Sequence, residues 1–404
     1  MLRSLDRLIL ILTSRCNLNC TYCFQNRKTS RTMSRRELFP ALDLARTSPV
    51  ADFTVLFYGG EPLIEFPLLR QAVEYLEQGR ALTKRYTYVL VTNGLLMDSP
   101  TVEFLSEHNF ETMISFDGVR ASQDLRGKDT FDVLDRLLER LPRDHSEFFQ
   151  NRFSVNITLS PASIPFLADS VKYFLEKDVR DLGINPILNP SSEWNPSIAE
   201  QLDQQFAVLF KACLTHAEKT GVQPLSIFRG VRSSRTTQIG MKPLCGAASA
   251  RTPAVDVDGR LYGCALFARS YQAHTSPLLD SDQSGAFEIG RISDPDMEKK
   301  LSQYRSRLAR NPLLHEKRLK ASSFGRCSDC PFLGRCFVCP VSIALIPGNA
   351  DPHRIPDFLC DFNRISLKYQ ERMEQHPVGT SQLLRGDCPD DPIRRIEAKF
   401  YGPG

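Results

Sequence analysis

Short apolar runs rich in β-branched residues alternate with amphipathic stretches through the first half of the chain. The runs that predict strands are Leu8–Leu12, Phe53–Tyr58, Tyr86–Thr92, Thr112–Phe116, Phe153–Leu159 and Leu182–Leu188. The stretches with helical periodicity are Ser34–Ala45, Phe66–Leu76, Pro100–Glu107, Phe131–Leu141 and Ile164–Glu176. Ser34 and Glu37 have the spacing of a capping box at the first helix. Successive strand-then-helix units predict a parallel α/β sheet, either doubly wound or curled into a partial barrel.

The pattern changes after the sixth predicted strand. Residues 189–197 contain several Pro and Ser residues, and a long helix is predicted to follow from Ile198 to Glu218. From Met241 to Asp361 the periodicity weakens while Cys, Gly and Pro accumulate, so a bound metal is expected to replace a hydrophobic core there. We therefore predict a first domain at residues 1–235, a cysteine-rich domain at 236–365, and a C-terminal helix and tail at 366–404.

The charge balance gives no sign of a nucleic-acid or membrane partner. The 404 residues include 51 Lys and Arg against 47 Asp and Glu, a formal net charge of +4, which is too small to favour either partner. The run Leu8–Leu12 follows two arginines, as in a signal peptide, but it is too short for a membrane span and no cleavage site follows it. The sequence thus predicts a cytoplasmic protein.

Ten of the twelve cysteines fall into spaced groups. In chain order they are Cys16, Cys20, Cys23, Cys245, Cys264, Cys327, Cys330, Cys336, Cys339 and Cys360. A secreted disulfide scaffold would be shorter and denser in cysteine, and in a reducing cytoplasm grouped cysteines more often bind metal than each other. Of the other two, Cys213 is predicted to be a buried thiol on a helix, and Cys388 lies near the C terminus.

Cys16, Cys20 and Cys23, the first triplet, lie in the loop directly after the first predicted strand. Three thiolates at this spacing can bind three irons of a 4Fe–4S cluster and leave the fourth iron without a protein ligand. A small molecule with an amine and a carboxylate can chelate that iron. The alternatives are a zinc site or three free thiols, although structural zinc prefers four protein ligands and no histidine lies close by in sequence.

Short motifs stand at the predicted ends of the next three strands. They are Gly59-Gly60-Glu61-Pro62, Thr92-Asn93-Gly94, and Ser115-Phe116-Asp117-Gly118 with Asp124 and Arg126 just beyond. Each one alone is also a common kind of turn. In this order, after the Cys-x3-Cys-x2-Cys triplet, they resemble the radical S-adenosylmethionine (SAM) superfamily, of which GGEP is a motif.

That resemblance implies a partial (β/α)6 barrel over residues 7–200, with one 4Fe–4S cluster and SAM at the strand ends. Ser115 and Arg126 would hold the methionine carboxylate or the ribose, and Tyr22 would lie against the adenine. Backbone carbonyls of the glycine motif would accept hydrogen bonds from the methionine ammonium group. The expected cofactor-binding residues are Tyr22, Gly59, Gly60, Glu61, Pro62, Asn93, Ser115, Asp117 and Arg126.

The later cysteines resemble the SPASM extension of the same superfamily, which binds two auxiliary 4Fe–4S clusters. The resemblance assigns an outer cluster to Cys327, Cys330, Cys336 and Cys360. It assigns an inner cluster, nearer the barrel, to Cys245, Cys264 and Cys339. A zinc ribbon is the alternative interpretation of the paired CxxC segments.

Two features depart from the SPASM pattern. Cys336 and Cys339 are separated by two residues where the extension normally has three, and no cysteine lies between Ala248 and Pro253, where many relatives have a fourth inner ligand. The inner cluster is therefore expected to keep an open iron or to take another ligand. Cys388 is the second choice for that ligand.

The resemblance implies an oxidoreductase that cleaves SAM to a 5′-deoxyadenosyl radical, which takes a hydrogen atom from the substrate. An external one-electron reductant of the flavodoxin or ferredoxin type is expected. Because SPASM members mostly act on peptides, the leading prediction is a ribosomal-peptide maturase that forms a carbon–carbon or thioether crosslink, with attachment to an aromatic ring preferred. Few residues precede the first strand, so we expect a substrate that is leader-independent or held by the barrel mouth and the SPASM segment.

Other functions stay open at this point. Oxidation of a Cys or Ser in a sulfatase is disfavoured because Ala265 follows Cys264, where sulfatase maturases carry an Asp that serves as a base. A small-molecule dehydrogenase is a further alternative. An electron carrier or a redox sensor would share the cysteines but does not require the strand-end motifs. Asp117 and Glu61 are carboxylates expected near the cofactor, and neither is assigned as the base.

Overall fold

The computed structural model describes residues 5–25, 28–78, 83–188, 194–229, 252–271 and 287–377, together with residues 245, 247, 250 and 278. Six parallel strands form the central sheet, and their order in the sheet is their order in the chain. They are β1 (Arg7–Thr13), β2 (Asp52–Gly59), β3 (Arg85–Thr92), β4 (Glu111–Ser115), β5 (Phe153–Leu159) and β6 (Leu182–Pro186). A doubly wound sheet reverses its strand order, whereas sequential order belongs to barrels. The prediction of a partial (β/α)6 barrel is confirmed.

Helices alternate with these strands and cover the outer face of the sheet. They are α1 (Arg35–Thr47), α2 (Phe66–Glu77), α3 (Ser99–Glu107), α4 (Arg120–Gln123), α5 (Phe131–Asp144), α6 (Ser146–Asn151), α7 (Leu167–Glu176) and α8 (Pro196–Thr220). The predicted capping box is present at α1, where Arg36 N donates to Ser34 Oγ at 3.1 Å and Ser34 N donates to Glu37 Oε2 at 3.2 Å. None of the described helices is both long and apolar enough to span a bilayer.

Alternation of side chains along the strands separates two apolar layers. Leu8, Leu10 and Leu12 of β1 point outward and pack with the helices, whereas Ile9 and Ile11 point into the interior of the barrel. The interior layer continues along the next strands and into the C-terminal half. Its other buried members are Leu56, Val89, Met113, Ala254, Val257, Tyr262, Ala265, Ala268 and Tyr271.

The cysteine-rich part continues the barrel sheet. Strand β7 (Ala254–Val255) pairs in parallel with β1, and β8 (Arg260–Tyr262) and β9 (Glu288–Arg291) follow antiparallel, which gives nine strands. The remaining elements are α9 (Met297–Leu308), β10 (Ala321–Ser322), β11 (Gly325–Arg326), α10 (Pro340–Ala344) and α11 (Asp357–Gln375). The domain limits at residues 235 and 365 stay a prediction, and α11 begins at Asp357, ahead of the predicted C-terminal segment.

The cysteine-rich part has an apolar core, contrary to the expectation that metal replaces one. Tyr304 and Leu308 of α9 are buried, and the rings of Phe267 and Phe287 stack with centroids 3.7 Å apart. All four belong to the same apolar cluster as the outer layer of the barrel. The sequence pattern did not reveal this core because two-residue strands and single 3-10 turns are too short to show a period.

Candidate active site

The first triplet lies at the carboxyl end of β1, as predicted. The loop is anchored across the barrel mouth, since Thr21 N donates to Leu125 O at 3.0 Å. Burial raises the pKa of Cys16 and of Cys20, and each of these pKa values is raised further by the charge of Cys23. The charge of Arg126 acts in the opposite direction on Cys20. The three thiols therefore lie close enough together for their charges to interact.

The glycine motif packs its backbone against the start of that loop. Gly60 N donates to Thr13 O and Glu61 N donates to Arg15 O, both at 2.8 Å. A Cβ on Gly59 would lie 2.5 Å from Thr13 O, and one on Gly60 would lie 2.1 Å from Arg15 O. Gly59 also has a φ of +154°, which favours glycine. Both glycines are thus required by the close approach of two backbones, and Pro62 then starts a 3-10 turn over Pro62–Glu65.

Glu61 is fully buried, and its carboxylate joins two of the strand-end motifs. Its Oε1 accepts from Thr92 Oγ1 at 2.6 Å and from Leu63 N at 3.0 Å. Its Oε2 accepts from Asn93 N at 2.7 Å. Burial raises the pKa of Glu61 to about 7. The three hydrogen bonds favour the charged form and so act in the opposite direction. Both carboxylate oxygens accept hydrogen bonds from protein groups, so the Glu61 side chain holds the loops after β2 and β3 together.

Asn93 connects the Glu61 carboxylate to the loop of the first triplet. Its Nδ2 donates to Asn17 Oδ1 at 2.7 Å, and its own Oδ1 accepts from Leu95 N at 3.0 Å. Asn17 follows Cys16 directly, so the Thr-Asn-Gly turn after β3 holds the cysteine loop. Asn17 could not be singled out from the sequence, because the contact joins residues 76 positions apart.

Asp117, Arg126 and Tyr22 form a buried polar group beside the cysteines. Arg126 Nη2 donates to Asp117 Oδ1 at 3.0 Å and to Thr158 Oγ1 at 2.8 Å. The hydroxyl of Tyr22 donates to Asp117 Oδ2, and Thr158 N donates to Asp117 Oδ1 at 2.8 Å. The guanidinium carbon lies 5.5 Å from the centroid of the Tyr22 ring. Thr158 was not predicted, although its position near the end of β5 is the kind that should have been considered.

One atom of this group has no protein partner. The Nε of Arg126 is buried and makes no hydrogen bond to any described residue. An unpaired buried guanidinium nitrogen is costly unless a ligand accepts from it, and the carboxylate of SAM is such an acceptor. The residues at the barrel mouth therefore fit SAM together with a cluster that lacks a fourth thiolate.

The inner faces of β4 to β6 carry uncharged polar side chains. Ser115 ends β4 and stands opposite Asn156 of β5 in the sheet, and Asn185 Nδ2 of β6 donates to Asn156 Oδ1 at 2.6 Å. All three are half-buried. Asn156 and Asn185 were not singled out from the sequence, yet each lies one position from residues of the outer layer (Val155, Ile157 and Ile184), so period-2 alternation makes both face the barrel interior.

The opposite wall of the barrel interior is aromatic and apolar. The ring of Tyr271 contacts Phe24 and Tyr58 edge-on, with centroids 5.6 and 5.9 Å apart. Burial raises the pKa of Tyr58, and the charges of Cys23 and Cys264 raise it further, so Tyr58 lies between the first triplet and a later cysteine. The hydroxyl of Tyr271, whose side chain is 0% exposed, has no hydrogen-bond partner among the described residues.

The structure brings Cys245, Cys264 and Cys339 together as an inner group. Burial raises the pKa of Cys339 to about 12, and the charge of Cys264 adds to that effect. Burial likewise raises the pKa of Cys245, and the charges of Cys264 and Cys339 raise it further. The three thiols line one small cavity that is partly open to solvent.

Cys327, Cys330, Cys336 and Cys360 form a second set, the outer group. Burial raises the pKa of Cys327 to about 11, and the charges of the other three cysteines raise it further. Unlike the inner thiols, the outer ones have polar neighbours. Lys317 Nζ donates to Cys336 Sγ at 3.9 Å, and Ser322 Oγ donates to Cys360 Sγ at 3.4 Å.

These sets coincide with the cysteine sets that the SPASM resemblance implies, while ligation itself stays a prediction. Among the described residues no disulfide joins any cysteine, and no three Cys, His, Asp or Glu side chains converge on a single metal ion. Cys213 is buried on α8, as predicted, and burial raises its pKa to about 12. Cys388 lies outside the described residues.

A partial barrel with a three-thiol loop at its mouth, beside a buried Arg–Asp–Tyr group, fits an enzyme that combines an iron–sulfur cluster with a small cofactor that carries a carboxylate. Residues 10–158 match the family model of the radical SAM superfamily. The first half of the chain therefore contains a radical SAM domain, and the cysteine-rich part that follows resembles a SPASM-type region. SAM and one 4Fe–4S cluster are the cofactors of that domain.

Two curated relatives indicate the kinds of enzyme that this chain is similar to. The cysteine-type anaerobic sulfatase-maturating enzyme of Clostridium perfringens strain 13 is 26% identical over 290 residues, which cover 65% of this chain and 75% of the relative. The radical SAM cyclopropyl synthase TigE of Paramaledivibacter caminithermalis is 24% identical over 204 residues, which cover 45% of this chain and 41% of the relative.

Two solved structures share the fold. Native anSMEcpe with bound AdoMet and Kp18Cys peptide superposes with a TM-score of 0.70 at 20% identity, over 91% of this chain and 97% of that one. Streptococcus suis SuiB bound to the precursor peptide SuiA superposes with a TM-score of 0.54 at 14% identity, over 89% of this chain and 76% of that one. At these identities the likeness concerns the fold alone.

Proposed function

We propose that this enzyme abstracts a hydrogen atom from a side chain of a peptide and forms an intramolecular crosslink in it, either a carbon–carbon bond to an aromatic ring or a thioether. The observation that carries the proposal is the meeting of the first triplet with the Asp117–Arg126–Tyr22 group at the barrel mouth. When bound, the cluster and SAM supply the 5′-deoxyadenosyl radical.

The chain's own residues bind and orient these cofactors. Cys16, Cys20 and Cys23 are the proposed cluster ligands. Arg126, fixed by Asp117 on one side, has Nε left to donate to the SAM carboxylate. Tyr22 is held by Asp117 with its ring beneath the guanidinium, and Ser115 stands at the end of the neighbouring strand. Asp117 thus acts as a positioning residue, because all of its described bonds are to protein groups.

The inner walls of the barrel support a peptide as substrate. Amide and hydroxyl groups on β4 to β6 offer both donors and acceptors to a peptide backbone, and the aromatic wall around Tyr271 offers contact to apolar or aromatic side chains. The described polar wall carries no net charge, because Arg126 is paired with Asp117. Peptides are also bound in the two solved structures of similar fold.

Oxidation of a peptidyl Cys or Ser is the second candidate, favoured by the similarity to the sulfatase-maturating enzyme of Clostridium perfringens. Against it stands the absence of a free carboxylate. Ala265 is 1% exposed within the interior layer. Asp256, the buried carboxylate of the hairpin, accepts from Val257 N at 2.8 Å and from Ser270 N at 3.0 Å. Glu61 and Asp117 are likewise occupied, so no buried carboxylate among the described interior residues is free to act as a base.

The inner and outer groups are proposed to hold two auxiliary 4Fe–4S clusters. The inner group lies beside the barrel, since Tyr58 is influenced by both Cys23 and Cys264. When a crosslink forms with loss of two hydrogen atoms, the first passes to the 5′-deoxyadenosyl radical. The second leaves as a proton, which passes to solvent, and an electron, which the auxiliary clusters would accept. A flavodoxin- or ferredoxin-type protein is the proposed external reductant of the first cluster.

The test is anaerobic turnover of the reconstituted full-length enzyme with a panel of peptides that carry Cys, Ser and aromatic residues. A crosslink removes two hydrogen atoms, keeps sulfur and yields no aldehyde. Oxidation of Cys removes sulfur, and oxidation of Ser gives an aldehyde that reacts with a hydrazide. Mass spectrometry with hydrazide labelling therefore separates the two candidates. If 5′-deoxyadenosine forms only with a small molecule and never with a peptide, the proposal is wrong.

A further inference from the structure

Among the described residues, the cavity of the inner group has one polar side chain that is not a thiol. Cys245, Cys264 and Cys339 contribute three sulfur atoms, and the other described lining residues are apolar except Thr252. Thr252 is 5% exposed, and its Oγ1 is buried without a hydrogen-bond partner among the described residues. A buried hydroxyl with no partner costs free energy, so this atom is expected to have one when the site is filled.

The backbone around Thr252 is fixed at both ends of the segment that starts with Cys245. After Thr252, the carbonyl of Pro253 accepts from Ile9 N at 2.9 Å, and β7 then pairs with β1. Before it, the carbonyl of Ala247 accepts from the hydroxyl of Tyr304 at 2.6 Å. The position of Thr252 in the cavity is therefore set by the barrel sheet and by α9, two rigid elements.

Thr252 also falls in the part of the sequence where a fourth inner thiolate would be expected. We propose that Thr252 stands where the fourth inner thiolate is missing and that its hydroxyl donates a hydrogen bond to an exchangeable ligand on the iron that no cysteine binds. This inference rests on the proposed function, in which the inner group holds a 4Fe–4S cluster. A neutral hydroxyl binds iron weakly but donates well, so the position stays open to an external ligand.

The experiment uses the anaerobically reconstituted full chain with Cys16, Cys20 and Cys23 replaced by Ala, so that the first cluster does not contribute. Azide is the probe, because its iron-bound nitrogen keeps a lone pair that can accept a hydrogen bond, and its binding is followed by the EPR spectrum of the reduced protein. The parent protein should respond to azide with a shifted inner-cluster signal. Thr252→Cys should retain about eight irons and lose the response, because a fourth thiolate closes the site.

Thr112→Cys is the matched control, because Thr112 is another buried threonine whose hydroxyl has no described partner, and it lies on β4 outside the cavity. It should respond to azide like the parent. Thr252→Val gives a second measurement if the cysteine variant does not fold. It should keep about eight irons and bind azide about tenfold more weakly, the effect of one hydrogen bond to an anionic ligand.

Two results overturn the inference. One is a parent protein with about eight irons and no response to azide, and the other is Thr252→Cys or Thr252→Val that responds with the affinity of the parent. An iron content of about four or fewer in the parent is a different failure, because it contradicts the auxiliary clusters of the proposed function instead.

Discussion

The inner and outer cysteine groups differ in what surrounds their thiols. The inner group has three cysteines in a cavity with apolar walls, and none of the described lysines or arginines lowers the pKa of an inner thiol. The outer group has four cysteines, and Lys317, Ser322 and Arg364 act on its thiols. Among the described residues, the inner region therefore has three thiols and the outer region has four thiols with polar neighbours.

This difference indicates that the inner and outer clusters have different roles. A cluster with an open iron beside the barrel is placed to meet the substrate or the electron that it leaves. A cluster with four thiolates has no room for substrate, and cationic donors near its sulfur atoms raise its reduction potential. We infer that electrons pass from the barrel to the inner group and then to the outer one.

Replacement of Cys16, Cys20 and Cys23 together by Ala should have the largest effect. Formation of 5′-deoxyadenosine should be abolished, because no cluster then binds SAM, while the inner and outer groups should keep about eight of about twelve irons. Iron assay and chromatography of the nucleoside products measure both quantities. If 5′-deoxyadenosine still forms, the first triplet is not the reactive site. About four irons plus zinc in the wild-type chain would instead contradict the auxiliary clusters.

Separate loss of the two groups tests the comparison directly. Cys245→Ala with Cys264→Ala should abolish peptide product while 5′-deoxyadenosine formation continues. Cys327→Ala with Cys330→Ala should still give product in a single turnover, because the inner cluster accepts one electron, but multiple turnover should fall at least tenfold, about 1.4 kcal/mol in barrier. Product per chain is measured by mass spectrometry under both conditions.

Cys213→Ala is the control for both double variants, because this thiol is buried on α8 outside every group. Its iron content and turnover should match the wild type. If the inner-group and outer-group double variants gave equal yields of product in a single turnover, the proposed order of electron transfer would be wrong.

Gly263→Ala should damage the inner group alone. A Cβ on Gly263 would lie 1.8 Å from the hydroxyl oxygen of Tyr304 and 2.6 Å from Ala247 O. It would break the hydrogen bond that fixes the segment after Cys245 and would cost roughly 1–3 kcal/mol of folding free energy. About four irons should be lost, with the EPR signal of the outer cluster retained.

Gly348→Ala is the comparison variant. It has a φ of +67° but nothing within 4 Å of the added Cβ, so it should cost only about 1–2 kcal/mol through backbone strain and keep all irons. If Gly263→Ala retains the full iron content, the contact between Tyr304 and Ala247 does not support the inner site.

The strand order and the position of the first triplet could be predicted because each depends on local sequence. Six alternating units gave the parallel sheet, and the motif spacing placed the cofactor residues at strand ends. Contacts across the barrel could not be predicted in this way. Asn17, Thr158 and Tyr271 acquire their partners only when distant loops meet.

Glu61 stays a predicted cofactor-binding residue, and its two carboxylate oxygens accept hydrogen bonds from Leu63, Thr92 and Asn93 in the structure. One prediction needed correction. The cysteine-rich part was expected to lack an apolar core, but short elements such as β7 add their side chains to the core of the barrel. A strand of two residues is too short to show a periodic pattern in the sequence, so its packing is seen only in the folded structure.

Lys317 gives the smallest and most specific prediction about the outer group. Its Nζ donates to Leu333 O and Cys336 O at 2.6 Å and to Cys336 Sγ at 3.9 Å. A cation at a ligand sulfur stabilises the more negative, reduced cluster. Lys317→Met should therefore lower the reduction potential of the outer cluster by on the order of 50 mV, roughly 1 kcal/mol for one electron. Redox titration followed by EPR measures the shift.

Arg335→Gln provides the matched loss of one positive charge, since Arg335 precedes Cys336 but pairs with Glu371 and Glu374 at 3.3 and 2.8 Å. It should shift the outer potential by less than a third of the Lys317→Met effect, because solvent and the two carboxylates already screen its charge. The inner potential should not move in either variant. Equal shifts in the two variants would mean that general surface charge, and not the contact with Cys336, distinguishes the outer group from the inner one.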